Sequence, residues 1–332
     1  MARFWIPAFA CLLVLLPTVP AGAQRLTVAY LGPDSDAAFR QVLLPWARAV
    51  RAATKGAANP ELMPDGLLGR DPGKQADLVD NGQADLAWVR TDRHAKRFPD
   101  DGVFRLPGLV ASPRDGAPAA WALQAGGLLR GYGKYKVIAY VAGAPARLVT
   151  AKPYTTMRQV RLGRWLIGVS SAEASLGIAS LGARPETVPQ DRIGFALTEQ
   201  VIYAALAEPH EVLKADPKAR YKQVVELTGG APTFALIMDR RKFASLPKAT
   251  QDALTRHGGP AFARRYGAAM TADDRAAMAA LVRGGRRKAI ALSDKDRAEW
   301  DKGSAKAQKA WAAKHPNGRA LLDALRQALA AR

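Results

Sequence analysis

The chain has 332 residues, with 49 lysines and arginines against 29 aspartates and glutamates, a formal charge of +20. That length suffices for about two domains with sizeable cores, and no apolar run after Gln24 is long enough to cross a bilayer. A single cysteine, Cys11, excludes a disulfide-stapled secreted module.

Met1–Ala23 reads as a secretory signal. Arg3 supplies the positive start, Phe4–Leu16 the apolar stretch and Ala21-Gly22-Ala23 the small-residue cleavage pattern. Pro7, Pro17 and Pro20 argue against a spanning helix, and Cys11 sits too early in the run to be a lipid anchor. Removing 23 of the 332 residues leaves 309 and, with Arg3 gone, a charge of +19. The mature chain then lacks cysteine, which suits a bacterial periplasm. A basic chain points to acidic ligands, anionic membrane or nucleic acid. Export and the lack of zinc-finger or RNP-like patterns exclude the last. Arg264, Arg265, Arg283, Arg286, Arg287 and Lys288 are spread along helices and read as a solvated face.

In chain order, Leu26–Leu31 alternates as a first strand, and Asp34 or Ser35 caps the helix that follows. Phe39, Val42, Leu43, Trp46 and Val50 make that helix's core stripe. A second helix ends at Asn81-Gly82, and Ala84–Val89 is a buried strand with Trp88 and Arg90 at its carboxyl end. This βα(β)αβ order predicts a parallel sheet. Ala119–Leu129 is helical with Pro118 at its start, and Val137–Val141 and Ala146–Thr150 are strands. Leu166–Val169 is a strand running into a helix, where Ser170 and Glu173 fit a capping box. A strand entering a helix this way leaves amides at the sheet's carboxyl edge, where α/β proteins bind anions. Asp191 or Arg192 to Ala207 is helical, Pro209 interrupts, and Pro232–Met238 is a strand. Helices over Pro247–Arg256, Gly259–Arg283, Ser293–Lys314 and Asn317–Ala331 finish the chain.

Enzymatic constellations are missing. His94, His210, His257 and His315 have no ligand spacing, so neither a metal nor another cofactor is expected. There is no nucleophile elbow, and Gly69–Gln75 falls one residue short of a phosphate loop and lacks its hydroxyl. Asp100-Asp101 lies in a loop and Asp273-Asp274 near a helix start, where solvation or capping accounts for them.

The order of several short motifs resembles the DctP-type solute receptors of TRAP transporters. They are Gly66-Leu67-Leu68-Gly69, Leu78–Trp88, Arg97-Phe98-Pro99, Leu106-Pro107, Lys152-Pro153, Val169–Pro189 with Leu181-Gly182-Ala183, Ala196-Leu197, Thr233–Asp239 and Ser245-Leu246-Pro247. The resemblance spans the mature chain. It implies an α/β fold of two lobes, with parallel or mixed sheets flanked by helices, a cleft between the lobes and long C-terminal helices. Lobe I is expected over 24–142 and 231–270, lobe II over 143–230 and 271–332. It also implies a periplasmic receptor, not an enzyme, that takes an organic acid and delivers it to the membrane subunits of a TRAP permease.

Family ligands are held mainly by an arginine on the strand before the helix at Ala172, and that position aligns here with Gly168. Arg147 or Arg90 is the expected replacement, since a guanidinium matches a carboxylate bidentately. Arg161 and Arg164 flank a turn and are expected to face solvent. Trp88 and Tyr30 are candidates to stack on a ligand, with the amides near Ser170 and Ser171 taking its acid end. Glu208 and His210 are candidates for ligand hydroxyls or amines, and Phe234 for the hinge or the cleft wall. A competing reading is a receptor of the same fold with an altered or lost ligand, acting in sensing or through protein partners. An exported enzyme comes third.

Overall fold

A computed structural model describes residues 24–162, 165–189, 192–215, 221–285 and 287–331. The signal at Met1–Ala23, Arg164 and Asp191 lie outside them.

The first sheet opens with β1 (Gln24–Ala29), a π-helical turn (Ala38–Leu43) leading into α1 (Leu44–Ala53), β2 (Ala58–Met63), α2 (Gln75–Asp80) and β3 (Leu86–Arg90). Strand β1 pairs in parallel with both β2 and β3, as the βαβαβ order requires. Helix α3 (Pro113–Ala125) and β4 (Tyr135–Ala142) follow. Ser112 caps α3 by accepting from Asp115 N, so the helix starts earlier than expected and Pro118 falls inside it.

The second sheet is built from β5 (Arg147–Thr150), α4 (Met157–Leu162), β6 (Leu166–Val169), α5 (Ala172–Ser180), β7 (Arg184–Thr187), α6 (Ile193–Thr198), β8 (Ala204–Ala207), α7 (Pro209–Ala215) and β9 (Gln223–Glu226). The chain returns as β10 (Thr233–Asp239), α8 (Arg240–Ser245), α9 (Lys248–His257) and α10 (Gly259–Val282). It ends with β11 (Lys288–Ala291), α11 (Asp294–Lys314) and α12 (Gly318–Ala330). The sheet orders are β2-β1-β3-β10-β4 and β11-β9-β5-β8-β6-β7. Both sheets are mixed, because β10 runs antiparallel to β3 and β4, and β5 antiparallel to β8 and β9.

The expected helix over 192–207 is only partly present. Gln200 takes a left-handed φ of 57°, and Ala204–Ala207 forms a strand. Alanine and leucine favour helix, but β8 lies between β5 and β6 and is buried throughout, so burial overrides propensity. Pro209 opens α7 rather than breaking a helix. The edge strands β7 and β11 are too short and too exposed to give a sequence signal.

Each sheet is packed on both faces. The α1 stripe covers Leu26, Val28 and Trp88, together with Phe262 and Tyr266 of α10. The opposite face, with Val89 and Ile237, packs on Phe104, Leu123 and the α12 stripe Leu321, Leu322 and Leu325. The expected division gives α12 to the second lobe, whereas these leucines join the core of the first. Helix α11 packs on α5 of the second lobe.

Between the lobes the chain crosses from β4 to β5 and from β9 to β10. The two crossings are tied by Gly143 N–H to Pro232 C=O at 2.8 Å and Ala146 N–H to Gly230 C=O at 2.9 Å. A Cβ on Gly230 would lie 2.0 Å from Arg105 C=O. Glycine there lets the 3-10 segment Pro99–Arg105 rest on the crossing, which delivers the Arg105 side chain to the cleft.

Candidate functional site

Period-two alternation puts Trp88 and Arg90 on one face of β3, and antiparallel pairing sets Phe234 of β10 opposite Arg90. Trp88 and Phe234 stack with centroids 5.6 Å apart and planes within 4°. Tyr266 of α10 approaches Trp88 at 5.8 Å, and the Arg90 guanidinium lies 5.8 Å over the Phe234 ring. These aromatic groups and Tyr30 form one wall of a cavity of about 270 Å³ between the sheets. Its size is near the lower end of the range of roughly 300–1,000 Å³ usual for small-molecule pockets.

The facing wall comes from the second lobe. Glu208 follows directly on β8, and His210, Glu211 and Lys214 project from α7 into the same cavity. Lys214 reaches Asp36 of the first lobe at 3.2 Å, and Tyr30 Oη donates to the same carboxylate at 3.1 Å. Burial, reinforced by Asp36, pushes the Tyr30 hydroxyl far above its ordinary value, so it stays a donor. Helix α10 closes the side with Tyr266, Met270, Asp273 and Asp274, which share a face by helical period.

At the floor, charges are paired inside the protein. Arg90 donates from both terminal nitrogens to Glu208, at 3.1 and 2.7 Å, and from Nε to Asp92 at 3.1 Å. Arg105 donates to Glu208 at 3.0 Å and to Ser170 Oγ at 3.3 Å, and lies 3.6 Å from Asp92. Burial alone would raise the Asp92 carboxyl, but Arg90 and Arg105 outweigh it and hold it below the usual range. Asp274 goes the other way: burial and neighbouring Asp273 raise it despite Arg147. Among the described residues, Arg93 is a lining cation without a salt bridge.

Of the residues singled out in the sequence, Tyr30, Trp88, Arg90, Glu208, His210 and Phe234 line the cavity. Arg147, Gly168, Ser170 and Ser171 do not. Arg147 turns to Asp274 at 3.4 Å and to Pro145 C=O at 2.8 Å. Gly168 is directed away from the cleft, where a Cβ would meet Ile202 at 2.6 Å and Val188 at 3.6 Å. Ser171, not Ser170, caps α5, accepting from Ala174 N at 3.1 Å, so no capping box forms and Ser170 is left to receive Arg105. Arg161 pairs with Glu299 of α11.

Sequence reasoning missed Asp36, Asp92, Arg105, Glu211 and Lys214. It placed Asp273-Asp274 near a helix start, whereas α10 runs unbroken from Gly259 and carries them mid-helix into the cleft. Their spacing from Tyr266 was the available signal.

The model of the DctP family, bacterial extracellular solute-binding protein family 7, matches residues 28–315. The chain belongs to this family. Its members are receptors rather than enzymes. No curated protein matches. Solved structures share the fold of this family 7 receptor. A TRAP solute-binding protein from a marine metagenome, in complex with 3-hydroxybenzoate, is 20% identical with a TM-score of 0.80, over 93% of this chain and 98% of that one. One from Bordetella bronchiseptica, with bound (R)- and (S)-mandelate, is 24% identical with a TM-score of 0.74, over 92% and 98%. A Bordetella pertussis extracytoplasmic solute receptor binding pyroglutamic acid is 23% identical with a TM-score of 0.73, over 92% and 100%.

Proposed function

We propose that the protein is exported by cleavage after Ala23, captures a small organic acid in the periplasm and hands it to a TRAP-type permease. The observation that carries the reading is the stacked Trp88–Phe234 pair on the wall of an inter-lobe cavity. Phe234, the partly exposed member of the pair, offers an apolar ring a seat backed by the buried Trp88, and the relatives named above hold ring acids. Arg93, the lining cation without a salt bridge among the described residues, is the group to which the acid end is assigned. Capture would hold together the two lobes that the Arg90–Glu208 pair already bridges, with release by bending of the β4–β5 and β9–β10 crossings.

One observation favours a receptor of altered ligand, acting in sensing or through protein partners. Strand β6, where the family resemblance places the anchor arginine, reads Leu166-Ile167-Gly168-Val169 and carries no charge. Neighbouring genes for small and large membrane subunits support transport; a neighbouring sensor kinase supports the alternative.

A thermal-shift panel of ring and chain acids, with benzoate, mandelate, 3-hydroxybenzoate and pyroglutamate included, tests the reading. At about a hundredfold excess over its Kd, a true ligand adds roughly 2.7 kcal/mol of stability. A clear shift with one acid supports the receptor reading, and silence across the panel contradicts its acid ligand.

A further inference from the structure

The two arginines at the floor of the cleft are already paired with the protein's own carboxylates, Arg105 keeping a buried Nε without a hydrogen-bond partner. Arg90 meets Glu208 fork to fork, at 2.7 and 3.1 Å, and meets Asp92 at 3.1 Å. Arg105 donates to the same Glu208 at 3.0 Å. The Arg105 and Glu208 side chains are only 7% and 9% exposed. With Asp92, two cations and two anions cancel. Both arginines sit on first-lobe elements, while Glu208 arrives from the end of β8 in the second.

A bidentate carboxylate on a buried guanidinium is the geometry by which a protein holds an acid ligand. Here that carboxylate is a side chain. We infer that Glu208 is the specificity-determining residue of the cleft, a built-in carboxylate that fills the Arg90 fork, holds one nitrogen of Arg105 and denies both to an acid solute. Glu208 plays this part only if the cleft is the solute site proposed above. An incoming acid is then confined to Arg93 at the rim. Glu211, Asp273 and Asp274, facing the remaining space, discourage a second anion deeper in.

Truncating Glu208 reopens the forks. Glu208→Ala leaves two buried guanidiniums beside a space the size of a carboxylate, which a free carboxylate can occupy. The test is calorimetric titration and thermal melting with acetate and with benzoate, against chloride at equal ionic strength. Glu208→Ala should bind both acids at least about tenfold more tightly than wild type and be restabilised by them. Glu208→Gln keeps the shape without the charge, covers the case in which the alanine variant does not fold, and should show a smaller gain. Equal affinities in wild type and variants overturn the inference and leave the solute site standing. So does a wild type that binds benzoate and loses it in Glu208→Ala. Silence of wild type and both variants to acetate, benzoate and the acids of the wider panel overturns the solute site and the inference together.

Discussion

Arg90 and Glu208 lie 118 residues apart in sequence and meet at 2.7 Å across the cleft. The contact joins the two lobes directly, beside the covalent crossings of the chain. Its partners are largely buried, so the pair matters through what is left when one member goes: an unpaired, largely desolvated charge. The same residues bound the cavity, so stability and solute recognition draw on one set of charges.

Arg90→Ala should therefore cost about 3–5 kcal/mol, the range for breaking a buried pair. It strands Glu208 and Asp92 on Arg105 alone, with Glu211, which Arg90 approaches at 3.6 Å, losing its partner as well. Urea melts of wild type and variant check this. An unchanged midpoint would contradict the cluster's role.

Gly168→Arg, the substitution that restores the family's residue in the alignment, should unfold the second lobe rather than create an acid site. The new side chain would enter the core of Val188, Ile202 and Ala205 with its charge unmatched. A loss of more than about 3 kcal/mol is expected, against about 1–2 kcal/mol for Gly168→Ala, whose methyl crowds the flexible end of Ile202 and makes ordinary contact with Ala205 and Val188. A folded, acid-binding Gly168→Arg protein would show that this position faces the cleft after all.

The fold was largely legible where local pattern and final burial agree. Alternation marked β1, a continuous apolar run marked β3, the Phe39–Val50 stripe marked α1, and the leucines of α12 marked a buried face. It failed at β8, where residues that favour helix are forced into a central strand by burial on both faces. The site was legible as residues but not as relationships. Arg90 and Glu208 stand out as separate candidates for a ligand, yet nothing in their spacing says that they satisfy each other. Arg105 was hidden in a segment that reads as loop, and it reaches the cleft only because Gly230 lets that segment lie close to the crossing. Arg147 stood out as a guanidinium able to replace the family's anchor, which says nothing of the protein's own carboxylate lying beside it.

Asp101 gives the pH dependence a sign. It is buried behind β3, accepting from Tyr132 Oη at 2.8 Å and Thr233 Oγ1 at 3.2 Å. Burial, with the charge of Asp92 adding to it, pushes its carboxyl up to about 7 against the hydrogen bond from Tyr132. For an acid raised on folding, its stabilisation is fully present below the unfolded value near 3.9 and is lost as pH rises toward 7. Wild type should thus lose stability relative to Asp101→Asn between about pH 4 and 7, by up to about 4 kcal/mol. Parallel denaturant melts across that window measure the gap. A gap constant with pH would mean the carboxyl ionises normally.

Arg147→Ala removes the cation facing Asp274. A destabilisation of about 1–3 kcal/mol is expected at pH 7. Asp274 is already held above its ordinary value by burial, and without Arg147 it rises further. The loss should accordingly be smaller at pH 5 than at pH 7, because a raised carboxyl takes up its proton sooner as pH falls. Thermal melts at the two pH values decide it; a loss equal at both would show that Arg147 acts through packing alone.

The most direct measurement is native mass spectrometry of wild type and Phe234→Ala, each purified gently from its host's periplasm. Wild type should carry a small organic solute that is depleted in the variant while both remain folded. A bare wild type, or a solute retained equally by the two proteins, would contradict a binding site on the Trp88–Phe234 wall.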